Sequence, residues 1–412
     1  MIDVARLTRA QLAVLGREYM LFGHLLNRAA LPHVHLQIGA QAREAVAIDE
    51  WMGASPIYTR RMQACMGFGG SDVETIFKGF QLDVGFPHQY MDVRYELESG
   101  ARGSFWLQSC GALLEVEQYG EAAVRSMCHA IEDPTFDASA VASNPRARCR
   151  PVHRPPRVPT DRVPHCRWEV FIDPTATPIE EAAITRRVRG SRLAGVEFPA
   201  PSGDVSGGRG DYAGAFDPEF RLEDLSQSAL VHVCREFLVQ NHLLIRALML
   251  SVADRAGDAV AREIATKQWV GAGAIAARRL RAALPIEEDH PAALLEVLRL
   301  HPAFLPGYGG VTIAPGAAGT PRIALEDCAA LHEGDSCSWT ALLAEGPHPA
   351  LDAMVQAVDP HARCVPAAPA RRELLAWDVV VDAAAAPAEM APEAAMVAAT
   401  STARFAFRAA AP

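Results

Sequence analysis

Residues 7–29 read LTRAQLAVLGREYMLFGHLLNRA, and residues 225–247 read LSQSALVHVCREFLVQNHLLIRA. Set at an offset of 218, Leu7, Leu12, Arg17, Glu18, His24, Leu25, Leu26, Arg28 and Ala29 recur identically. The frame runs on without a gap. Trp51 falls on Trp269, Gly53 on Gly271, Arg60-Arg61 on Arg278-Arg279, Phe86 on Phe304, Tyr90 on Tyr308 and Cys110 on Cys328. Small gaps then shift it, so that NPRARCRP (Asn144 to Pro151) meets DPHARCVP (Asp359 to Pro366), and CRWEVFID (Cys166 to Asp173) meets LAWDVVVD (Leu375 to Asp382). A shared frame over so long a stretch, with matched apolar spacing, marks a tandem duplication.

Each copy predicts the same order of elements. Leu12, Leu15, Tyr19, Phe22 and Leu26 form a buried helical stripe. Further helices are expected over Ala40 to Trp51 and Val73 to Phe80, the latter N-capped by Ser71 or Asp72 at the end of the glycine-rich MGFGGSD (Met66 to Asp72). Alternation over Asp92 to Leu97 and Ser104 to Leu113, with Ser99-Gly100 between, predicts a hairpin. A helix over Glu121 to Glu132, a strand over Arg167 to Ile172, a helix near Ile179 to Val188 and a strand over Ala194 to Phe198 follow, with a closing strand over Arg404 to Phe407. Helices first and strands segregated later make this an α+β fold, a duplicated helices-then-antiparallel-sheet unit in a pseudo-twofold arrangement. The first repeat covers 1–198, a Pro/Gly/Ser-rich linker 199–217 and the second repeat 218–412. The linker's Arg209-Gly210-Asp211 reads as an accident of composition.

The net charge of −10 argues against a nucleic-acid surface. No apolar run is long enough to span a bilayer, and the N-terminus does not read as a secretory signal. Nine scattered cysteines without a CxxC pair fit reduced thiols. A cytoplasmic protein acting on a small molecule is the reading, as a pseudo-dimer within one chain and open to homo-oligomerisation, with no nucleotide cofactor.

Residues kept in both copies, such as Arg17, Glu18, His24, Trp51 and Cys110, are most economically scaffold. The first copy alone carries a dense run from Cys128 to Cys166, with His129, Glu132, Asp133, Cys149, His153 and His165 between. Imidazole, thiolate and carboxylate are the usual ligands of zinc and iron, and an open coordination position would turn water into a nucleophile. His129, His153 and His165 are therefore expected metal ligands. His129, Asp133 and Glu132 are expected acid–base groups, and Cys166 a nucleophile given a neighbouring base. His88, Tyr90, Arg154 and Arg157 are expected to bind substrate. The rival reading is a non-catalytic small-molecule or metal-binding sensor, with His129 merely complementing a helix end.

The hairpin ending in FWLQSCG, followed by MCHAIED and PHCRWEVFI, resembles L-2-amino-thiazoline-4-carboxylic acid hydrolase-like proteins between Asp92 and Ile172. That resemblance implies hydrolysis of a small organic molecule and draws attention to Cys128 and Cys166.

Overall fold

The computed structural model describes residues 4–199, 207–286, 292–316 and 319–400. The strand expected over Arg404 to Phe407 lies outside them. The fold is α+β in two similar parts. The first part comprises α1 (Arg9–Ile38), α2 (Ala40–Met66), α3 (Val73–Gln81), β1 (Met91–Ser99), β2 (Arg102–Cys110), α4 (Gly111–Val116), α5 (Glu121–Arg125), a π-helical turn (Ser126–Ile131), α6 (Glu132–Val141), β3 (Ala147–His153), β4 (Cys166–Ile172) and α7 (Ala183–Arg189). The second comprises α8 (Gln227–Ala256), α9 (Asp258–Ala283), α10 (Ala292–Arg299), β5 (Val311–Pro315), β6 (Pro321–Glu326), α11 (Trp339–Leu343), α12 (Pro349–Gln356), β7 (Ala362–Ala367), β8 (Glu373–Val381) and α13 (Pro392–Thr400). Both sheets are antiparallel and share one order, β1-β2-β4-β3 and β5-β6-β8-β7.

Local chemistry recurs at equivalent places. Thr8 caps α1 and Ser226 caps α8, each side chain accepting from a backbone N–H three residues on. Gly39 and Gly257 break the long helices at φ 90° and 87° with extended ψ, a region essentially reserved for glycine. Asp137 accepts from the Cys149 N–H at 2.7 Å, as Asp352 does from Cys364, tying α6 to β3 and α12 to β7.

The two parts meet through their long helices. α1 packs on α8 and α9, and α2 packs on α8. At the crossings Gly53 lies against Ala247 and Gly271 against Ala29, so close that an added Cβ would stand 2.8 Å and 3.3 Å from the alanine methyl. Two ion pairs cross in the same reciprocal fashion. Arg61 binds both carboxylate oxygens of Glu236 at 2.8 and 2.7 Å, and Arg279 binds both of Glu18 at 2.7 and 2.9 Å. Glu18 is thus an inter-helix anchor, while its neighbour Arg17 pairs separately with Glu223.

Several expectations need correction. The strand placed over Ser104 to Leu113 ends at Cys110, whose thiol accepts from the Leu113 N–H and caps α4. Ala194 to Phe198 forms no strand; the backbone turns there, and Glu333 accepts from the Arg192 and Leu193 N–H groups instead. Residues 207–217 lack helix and strand but are tied down. Tyr212 is buried, Lys78 donates to the Gly214 carbonyl at 2.6 Å and Gln81 to that of Asp217 at 2.8 Å. The N-cap of α3 is Asp72.

Removing one member of a largely desolvated pair strands the other charge. Arg61→Met and Arg279→Met should each cost about 2–4 kcal/mol in urea unfolding, with much of it recovered when the partner glutamate is also replaced by Met. Gly39→Ala and Gly257→Ala should each cost about 1–3 kcal/mol, although no atom lies within 4 Å of the added methyl. Costs confined to one half would contradict the equivalence.

Candidate functional site

The densest chemistry of the first half gathers around its π-helical turn. Such turns insert one extra residue into a helix and rotate the side chains that follow. The turn has inner and outer surroundings.

Inward lie Cys128 and Glu132, with Cys110 from the end of β2 and Cys166 from the start of β4. All three thiols are buried, and burial pushes their pKa values up, Cys110 to about 12. The Glu132 carboxyl is pushed up to about 8, first by burial and then by Asp133, against the pull of Arg154. Its Oε2 is buried and finds no hydrogen-bond partner among the described residues. The second half keeps Cys328 at the place of Cys110, but in the frame that matches Asp137 to Asp352 its Leu343 and Pro347 fall on Cys128 and Glu132, and Leu375 falls on Cys166.

Outward is an open hollow of about 430 Å³ whose wall includes Glu44, Arg125, Ser126, His129 and Asp133. Ser126 donates to Glu44 at 2.6 Å and accepts from Arg43 at 3.0 Å. His129 Nε2 lies 2.6 Å from the Pro155 carbonyl. A carbonyl only accepts, so Nε2 carries the proton, and in the neutral ring the Nδ1 lone pair is left to accept. Asp133 is paired with Arg154, whose guanidinium lies 5.9 Å from the Trp168 ring centroid.

The expected site residues therefore separate into several environments. Among the described residues no group of three or more His, Cys, Asp or Glu could hold a metal. His129 is engaged by Pro155. His165 accepts at Nδ1 from the Cys110 N–H at 3.1 Å and faces Arg157 at Nε2, 3.4 Å away. His153 ends β3 opposite Arg167. The three histidines anticipated as metal ligands do not form one centre. With both ring nitrogens occupied, His165 is not placed as the base for Cys166, which burial keeps as a neutral thiol. His88, expected at a binding surface, is half-buried. It donates from Nε2 to the Gln81 carbonyl at 2.7 Å, and burial lowers its pKa to about 4. Arg157 is held by both oxygens of Glu117 at 2.8 and 2.7 Å. Tyr90 is buried beneath Arg28, which lies 4.7 Å from its ring centroid.

The sequence reading passed over two acids of this neighbourhood, Glu115 and Glu117. Glu115 pairs with Arg28, and burial pushes its carboxyl up to about 7. The 218-residue frame carried the signal, because Glu115 and Glu117 fall on Glu333 and Asp335.

All nine cysteines are free thiols. No helix among the described residues is long and apolar enough to cross a membrane. Comparison with protein-family models, with curated proteins and with solved structures gives no match for the chain.

The raised Glu132 pKa makes a signed prediction. The folded chain keeps a proton that the unfolded chain sheds above about pH 4.5, so stability is full below that value and falls as pH rises towards 8. Glu132→Gln cannot ionise. Between pH 5 and 9 the wild type should lose urea-unfolding stability relative to that variant, and parallel profiles would refute the assignment.

Proposed function

We propose that the first half is a small-molecule hydrolytic site and that the second half is a pseudosubunit related to it by an approximate twofold axis. The reciprocal pairs Arg61–Glu236 and Arg279–Glu18 support the symmetry, because an isologous contact repeats each interaction with its partners exchanged.

The observation that carries the catalytic part is His129. Its tautomer is set by the Pro155 carbonyl, it stands in the wall of the hollow, and the frame that matches Asp137 to Asp352 puts Ala344 at its place in the other half. In this reading Nδ1 takes a proton from water as the water attacks a substrate carbonyl-type carbon, and the proton is handed on to the leaving group. Asp133 holds Arg154 beside the turn, and Glu132 behind it can carry a proton near neutral pH because burial favours its protonated form. The chemistry proposed needs no metal ion among these three histidines. Cys166, buried and protonated, serves as wall and not as nucleophile. A reaction on small soluble substrates in the cytoplasm fits the free thiols.

The test is turnover by the full chain on a panel of small activated esters, amides and thiazoline carboxylic acids. Wild type should hydrolyse at least one class, and His129→Gln should lower kcat by about 10²–10⁴-fold. Cys166→Ala should retain most of the rate. No turnover on any class, or full activity in His129→Gln, defeats the reading.

A further inference from the structure

The repeat supplies a comparison that a single domain lacks, because each half holds an arginine at the same place, Arg246 buried and Arg28 largely so. In the second half Arg246 is enclosed by anions. Its Nη1 donates to Asp335 Oδ1 at 3.0 Å and to the Cys337 carbonyl at 3.2 Å, its Nη2 donates to Asp335 Oδ2 at 2.8 Å, and Glu333 lies 3.6 Å away. Tyr308 donates to Glu333 at 2.9 Å. Only the Nε of Arg246 lacks a partner.

Arg28 is the matching arginine of the first half, with Tyr90, Glu115 and Glu117 at the places of Tyr308, Glu333 and Asp335. The ion pair to Glu115 is kept. The second carboxylate is not delivered, because Glu117 is gripped at both oxygens by Arg157. Among the described residues the ion pair of Glu117 is with Arg157, and that of Arg28 is with Glu115. The consequence is a guanidinium whose side chain is 11% exposed and whose Nη1 is sealed from solvent without a hydrogen-bond partner among the described residues. Glu115 Oε1 is buried and unpartnered beside it. A buried donor on a charged group left unpaired is costly, and the fold repeats the arginine while withdrawing its second acid.

We infer that the first half binds a small carboxylate on Arg28, in the role that the Asp335 side chain plays for Arg246. The carboxylate of Asp335 shows which chemistry fits, a planar two-oxygen acceptor meeting two guanidinium nitrogens. Arg157 is the residue that holds Glu117 at both oxygens, away from the role Asp335 plays for Arg246. A hydroxyl or amine on the same ligand would complete Glu115 Oε1. The binding does not depend on His129 acting as a base, since Arg28 is not in the wall of that hollow.

The experiment is a titration of the full chain with ¹³C-labelled acetate followed by NMR, with circular dichroism confirming the fold of each variant. Wild type should show saturable binding. Arg28→Met should weaken it by at least about tenfold. Arg157→Gln releases Glu117 to fold back on Arg28 as Asp335 does on Arg246, and should weaken acetate by a similar factor while leaving the core arginine in place. If Arg28→Met fails to fold, Arg157→Gln decides. His129→Gln should bind acetate like the wild type, which separates this site from the hydrolytic reading. Absence of saturable acetate binding in the wild type, or unchanged affinity in Arg157→Gln, overturns the inference.

Discussion

Four long helices crossing between the halves set the conditions for everything else. Their contact brings Glu18 and Glu236 into largely buried positions, 10% and 9% exposed, and each must meet a cation contributed by the other half. A desolvated carboxylate without its arginine would be a heavy penalty, so the register of α1 on α9 is tied to that of α2 on α8. The close seats of Gly53 on Ala247 and Gly271 on Ala29 act in the same direction, because any slide along either helix would drive larger side chains into the contact. From this frame α6 and α12 reach outward, each packing on a long helix of its own half and on a strand, and so fix where the sheets lie.

Within that common frame the halves have taken different chemistry. The second half fills the places of Cys128, Glu132 and Cys166 with leucine and proline, which satisfies burial without polar compensation. The first half keeps a carboxyl and two thiols there, with one Glu132 oxygen unpaired among the described residues. Stability alone gives no reason to retain such a group when the sibling copy shows that hydrocarbon fits. The π-helical turn belongs to the same contrast. It carries Cys128 inward while leaving His129 in the wall of an open hollow, a division that an unbroken α-helix with its 3.6-residue period would place differently.

Much of the architecture was legible because duplication writes each signal twice. The first helix was readable from Leu12, Leu15, Tyr19, Phe22 and Leu26, the hairpin from Ser99-Gly100, and the α+β class from the order of elements. Other features depend on contacts that linear pattern does not encode. Ser104 to Leu113 alternates well enough to suggest one strand, yet the Cys110 thiol turns the chain into α4. Ala194 to Phe198 looks extended, but Glu333 from the other half captures its approach. The connector's Gly and Pro content disguised Tyr212, whose ring stacks on Phe220 at 4.6 Å. The histidines His129, His153 and His165, dense in sequence, likewise do not gather into one cluster in space. His165 and Cys166 are neighbours on the chain, but the imidazole is spent on the Cys110 N–H and Arg157.

The repeat also shows how far identity between copies can be trusted as a sign of shared role. Arg28 and Arg246 are the same residue at the same place, which argues for scaffold in both. Their surroundings differ through a residue outside the matched set, Arg157 in the first-half loop, which claims Glu117. A guanidinium enclosed by two carboxylates is a closed structural element, whereas one with a single carboxylate and a sealed free N–H is chemically incomplete. The difference lies in the pairing of a neighbour and not in the arginine. Function in a duplicated fold can therefore reside in the residues the copies share, provided that one copy has released them from the partners that keep them silent in the other.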